Sequence, residues 1–285
     1  MSKQHDQPKT DLSQIRQSID FFDNQLHQTL IGRSKAIEQL KEAKKTAEYG
    51  SAFRPGREYD VLRNRASQHE GVLPFTAIEN IWRIIISTFT YIQSPYSVHC
   101  LIRPDEPELR DMIRFNFGFS VPLHVYKEIP VLLESVSTSS GDLGIIPYED
   151  HATAPWWENL YQQNLEIIAA LPFSCYPTSP FRQKALIISK PVSEPDTAKK
   201  TLYSMTCQSK EPVSVIKNHI EKYCDIITAA NTEAGYSLLV ASFDSSAEMM
   251  QNFENSDQVP SCHILDINRI GNLPECVTFA GKDHS

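Results

Sequence analysis

Residues 11–49 read DLSQIRQSIDFFDNQLHQTLIGRSKAIEQLKEAKKTAEY, with no Pro and a single Gly, Gly32. Apolar residues recur at Leu12, Ile15, Ile19, Phe22, Leu26 and Leu30, then at Ile37 and Leu40. That is the three-and-four spacing of one helical face. At 1.5 Å per residue the helix would run roughly 57 Å, about twice the width of a small domain. A rod of that length cannot bury its stripe against a short domain of its own, so a second copy of the chain is the expected partner.

The same helix carries cations beside its stripe. Arg33 and Lys44 are eleven residues apart, which at about 100° per residue returns them to within roughly 20° of one face, with Ile37 and Leu40 between them. Long basic side chains often cover apolar surface with their stems and keep their heads in water, and that reading suffices for Arg16, one step beyond Ile15. Two cations aimed into one seam point further, to an anion site between helices, because buried charges need counter-charges.

The chain of 285 residues has room for two or three domains, and 41% hydrophobic with 22% charged residues is ordinary for a globular protein. No run approaches the length of an uncharged membrane span and MSKQHDQPKT has no apolar signal region, so a cytoplasmic protein is expected. The net charge of −8 argues against nucleic acid or an anionic membrane as partner. Residues 11–65 nevertheless hold ten Lys/Arg against eight Asp/Glu, which localises the basic chemistry to the region of the long helix. Cys100, Cys175, Cys207, Cys224, Cys262 and Cys276 are scattered without a CxxC, and read as buried reduced thiols with no metal role and no disulfide.

Taken in order, residues 1–10 are polar and expected to be disordered. Asp11 or Thr10 can cap the long helix, which gives out at Tyr49-Gly50. A short helix starts near Arg57, with Val61 and Leu62 inward. A third, TAIENIWRIIISTFTYIQ, carries Ile78, Ile81, Trp82, Ile85, Ile86 and Phe89 on a broad apolar face and ends at Pro95.

Here a pattern emerges. The order Arg16, Ile19-x-x-x-Asp23, Arg33, Lys44, Arg57-Glu58 and then a hydrophobic helix ending in Gln93 resembles the all-helical class of chorismate mutase across residues 11–95. The resemblance implies an intertwined homodimer in which each site borrows Arg16 from the other subunit. It further implies that Arg33 and Arg57 surround the carboxylates and ring of chorismate, Lys44 and Gln93 face the ether oxygen, and Glu58 takes the ring hydroxyl, with no cofactor and no metal. Arg54 stands where the family often has Asp, and Phe89 where a Ser commonly contacts substrate. These departures predict reduced rather than absent turnover.

Beyond residue 95 strands and helices alternate, which reads as a small α/β lobe over 96–198. GDLGIIPYED (141–150), LEIIAALPF (165–173) and KALIISK (184–190) resemble segments of prephenate dehydratase. The family's Gly-Thr-Phe-Ser segment is absent, Gln183-Lys184-Ala185 replaces its Thr-Arg-Phe triplet, and no length remains for a second lobe, so dehydratase activity is not expected. His151 and the Trp156-Trp157 pair read as packing rather than as a ligand site. Residues 199–275 run strand, helix, strand, strand, helix, strand, an order that resembles the ACT regulatory domain, with 276–285 as a tail. That resemblance would make an aromatic amino acid the effector, but SKEPVSV (209–215) and AANTE (229–233) stand where the effector motifs would be, so a structural or dimerising role is at least as well supported. The expected architecture is therefore multi-domain α plus α/β: a helical mutase domain, a degenerate lobe and a βαββαβ unit. Two alternatives stay open, a bifunctional mutase/dehydratase and a non-catalytic regulatory protein.

Overall fold

The computed structural model describes residues 11–44, 53–103, 106–148, 152–176, 179–192, 200–254 and 262–279. The expected tail at 1–10, the helix end at Tyr49 and His151 lie outside them. The chain divides into two compact units, residues 1–48 and 49–285.

The first unit is one helix, α1 (Leu12–Lys44), begun where the Ser13 amide donates to Asp11 Oδ1 at 2.9 Å. Asp11 is thus the cap. The apolar stripe exists as expected and is uncovered in a single chain: Phe22 is 64% and Leu26 57% exposed. Leu30, Ile37 and Leu40, further along, are half-buried.

The second unit opens with α2 (Pro55–Gln68), whose Pro55 supplies the fixed φ of a first helical turn, and α3 (Phe75–Gln93). These two helices have a core without any pairing, because Phe53, Tyr59 and Leu62 pack with Val98, Phe117 and Phe173 of the α/β part. The expectation that the helices need a partner copy to bury apolar surface therefore applies to α1.

There follow β1 (Val98–Leu101), α4 (Pro107–Phe117), β2 (Leu123–Tyr126), α5 (Ile129–Thr138), β3 (Leu143–Pro147), β4 (Glu166–Leu171), β5 (Ser174–Cys175) and β6 (Ala185–Ser189). Next come β7 (Lys200–Ser209), α6 (Val213–Ile220), β8 (Asp225–Thr232), β9 (Gly235–Ser242), α7 (Ser246–Glu254), β10 (Cys262–Leu273) and β11 (Val277–Thr278). The alternation and the βαββαβ order are those expected. WWENLYQQN (156–164) forms two 3-10 turns, with Trp157 fully buried, as packing requires, and its indole N–H on Ser237 Oγ at 3.1 Å.

Lobe and βαββαβ unit share one nine-stranded sheet, ordered β2-β1-β3-β6-β4-β10-β7-β9-β8. β1, β3 and β6 are buried along their whole length, as strands covered on both faces must be. The join is the parallel contact of β4 with β10 at Ile167 and Gly271. There the strands run so close that a Cβ on Gly271 would overlap the Ile167 carbonyl oxygen.

Two expectations are corrected. Cys175 and Cys276 are not reduced thiols but a disulfide, with Cα atoms 5.9 Å apart across a separation of 101 residues. Residues 276–279 are not a loose tail: β11 pairs in parallel with β5, and the Phe279 ring stacks on Phe75 at 4.5 Å. Scattered cysteines give no spacing signal when partners meet only through the tertiary fold.

Gly271→Ala should unfold at a lower denaturant midpoint, with a loss of about 2–4 kcal/mol, because backbone rather than a movable side chain blocks the new methyl. An unchanged midpoint would show that the join is loose.

Candidate active site

Of the six polar residues singled out in the sequence, three lie on α1. Arg16 is exposed, Arg33 is half-buried among half-buried Ile37 and Leu40, and Lys44 closes the helix.

The other three lie in the second unit and face different ways. Arg57 is exposed, whereas Glu58, one residue and about 100° further round α2, is buried. Its Oε2 accepts a hydrogen bond from Arg83 Nη1 of α3, a residue with no exposed surface. Gln93 is half-buried at the end of α3, and its side-chain amide donates to the Phe89 carbonyl at 3.3 Å. Phe89 is buried. Arg54 is half-buried and donates to the Phe53 carbonyl at 3.1 Å.

The Glu58–Arg83 pair is the hub of a polar cluster that the sequence reading missed. Arg83 also lies 4.2 Å over the Phe173 ring, and its Nη2 reaches the Asn116 carbonyl at 3.4 Å. One turn before it, buried Glu79 accepts from Ser174 Oγ and from the Tyr176 hydroxyl at 2.9 Å. Burial pushes the Glu79 carboxyl up from its ordinary value, while the Ser174 and Tyr176 donors and the Arg83 charge oppose that shift.

The buried face of α3 is thus Phe75, Glu79, Arg83, Ile86, Ser87, Phe89 and Thr90, centred roughly 90° round from the apolar face expected and sharing Ile86 and Phe89 with it. Ile81 and Ile84 point outward, 48% and 45% exposed. A signal was present: Glu79, Arg83 and Ser87 recur at intervals of four and so share a stripe. It lost to the larger count of isoleucines.

The comparisons bear on the helices directly. Residues 15–94 match the family model described as chorismate mutase type II. This is an isomerase family, and the chorismate mutase match encloses Arg16, Arg33, Lys44, Arg57, Glu58 and Gln93. No curated protein matches the chain. Three solved structures resemble it distantly. One is titled GqqA, a novel type of quorum quenching acylase, with 9% identity, a TM-score of 0.41, and 62% of this chain and 94% of that chain covered. Another is the prephenate dehydratase of Arthrobacter aurescens in complex with L-Phe, with 10% identity, a TM-score of 0.37 and coverage of 63% and 90%. The third is the prephenate dehydratase of Streptococcus mutans, with 9% identity, a TM-score of 0.33 and coverage of 65% and 99%. Likeness of this degree says nothing about chemistry.

Within the chorismate mutase segment, removing one member of a buried charge pair should cost far more than replacing both. Arg83→Ala, which takes from Glu58 its buried guanidinium, should lose about 3–5 kcal/mol in urea unfolding, and the double variant Glu58→Gln/Arg83→Met should recover much of it. Equal losses in the two would mean that packing, not charge, holds the cluster.

Proposed function

We propose that the chain converts chorismate to prephenate, and the observation that carries the proposal is the chorismate mutase type II match over residues 15–94. The reaction forms a carbon–carbon bond as an ether bond breaks within one molecule. It needs no nucleophile and no proton carrier. The barrier falls when the folded conformer is held, and guanidinium forks on the two carboxylates do that. Arg16, Arg33 and Arg57 take this role in the proposal, with Arg16 borrowed from a second copy. Negative charge grows on the ether oxygen in the transition state, and Lys44 with neutral Gln93 supplies donors there. A donor that strengthens its bond only as charge develops raises turnover rather than mere affinity.

A homodimer through α1 accompanies this reading, supported by the exposed stripe from Leu12 to Leu26. The βαββαβ unit, ACT-like in order, has a structural role. We place the protein in the cytoplasm: among the described residues no helix is long and apolar enough to cross a membrane. In a reducing compartment Cys175 and Cys276 would stand as neighbouring thiols at the β5–β11 pairing.

A second reading, a binding protein whose pocket has decayed, is favoured by the engagement of the Glu58 carboxylate with Arg83. One assay decides between them. Chorismate consumption by the purified chain should be measurable, and Lys44→Ala should lower kcat by 100-fold or more, as removal of an oxyanion donor does. No consumption by the parent chain would select the binding protein, and an unchanged rate in the variant would remove Lys44 from the chemistry.

A further inference from the structure

A cavity of about 350 Å³ opens in the second unit where the end of β3 and the β4–β5 corner meet the start of β7 and the chain beyond β10. Its walls are mainly apolar, with Leu171, Pro172, Phe243, Leu273 and Pro274 among them. The Cys175–Cys276 disulfide forms part of the wall and ties the C-terminal segment to the corner. Phe243 lines the cavity and is still 72% exposed, an apolar ring that a seated molecule would cover.

Two residues with polar side chains, Tyr148 and Lys184, are neighbours in the wall. The Tyr148 amide donates to the Lys184 carbonyl at 2.8 Å, which extends the β3–β6 pairing past Pro147 and Ala185 and sets the two residues side by side. Both line the cavity. Burial pushes the Tyr148 phenol well above its ordinary value, so at neutral pH it is an O–H donor and not an anion. The Lys184 ammonium makes no hydrogen bond or ion pair among the described residues.

The other polar groups of the lining are committed. Tyr59 donates to the Ala170 carbonyl at 3.1 Å, and Lys200 pairs with Asp225 while lying 4.8 Å over the Phe243 ring. With Lys200 held by Asp225, Lys184 is the lining's one ammonium without such a pair among the described residues. An apolar cleft with a few polar groups in its wall is the usual form of a small-molecule site, and one ammonium outside any ion pair suits a monoanion.

We propose that this cavity binds a small, largely apolar monocarboxylate, its carboxylate between the Tyr148 hydroxyl and the Lys184 ammonium and its body against Leu171, Pro172 and Phe243. The site stands apart from the mutase reading and would survive its failure.

Titration calorimetry of the full chain with 3-phenylpropanoate, under non-reducing conditions, tests it. Saturable binding of one molecule per chain is expected, weakened at least fivefold by Lys184→Gln and again by Tyr148→Phe, with the melting temperature of each variant kept within a few degrees of the parent. The uncharged 3-phenylpropan-1-ol should give no measurable binding. Absence of saturable binding by the parent, equal affinity for acid and alcohol, or undiminished affinity in Lys184→Gln would overturn the proposal.

Discussion

The backbones of Ile167 and Gly271 meet at the line where two sheets become one, and the second unit depends on how closely they approach. With a side chain at 271 the strands β4 and β10 could not keep that spacing. Without the join, the five strands of the lobe and the four of the βαββαβ unit would each present a bare edge, and bare edges invite wrong partners. Continuity also places Leu202, Leu239 and Ile270 in the same core as Leu132, Leu165 and Trp157. Two architectures that could have been beads on a string thereby share apolar contacts, and the cavity in which Lys184 and Phe243 both stand exists because of that continuity.

A second constraint is the charge buried under α3. An arginine without exposed surface is tolerated only with an acceptor such as Glu58, and a glutamate as deep as Glu79 is tolerated only with donors such as Ser174 and Tyr176. These obligations decide which face of α3 turns inward. Ile81, Ile84 and Ile92 are then pushed to the outside. Leaving isoleucines in water forgoes about 25 cal/mol per Å² of surface, and α3 accepts that loss to keep Arg83 on Glu58 and Glu79 on Ser174 and Tyr176.

Much of this was legible in the sequence. The helix of residues 107–117 falls on PELRDMIRFNF, the βαββαβ order follows the turns, and the stripe on α1 is where three-and-four spacing puts it. Much of what stayed hidden shares one property. The Cys175–Cys276 bond, the β5–β11 pairing, the contact at Gly271 and the grip of Ser174 on Glu79 each join residues about a hundred positions apart. Local periodicity carries no information about such meetings. In the candidate site the types and spacings of Arg16, Arg33, Lys44, Arg57 and Gln93 were readable, but the commitment of Glu58 to Arg83 was not, because Arg83 sits on the face that composition had assigned to solvent.

The strand at 277–278 lies beside a corner made about a hundred residues earlier. During synthesis the corner at Ser174 and Cys175 must therefore wait, with its pairing edge bare, until residues 277–278 have followed it out of the ribosome. An insertion between the corner and that strand would prolong the wait, whereas one ahead of the corner would leave it unchanged.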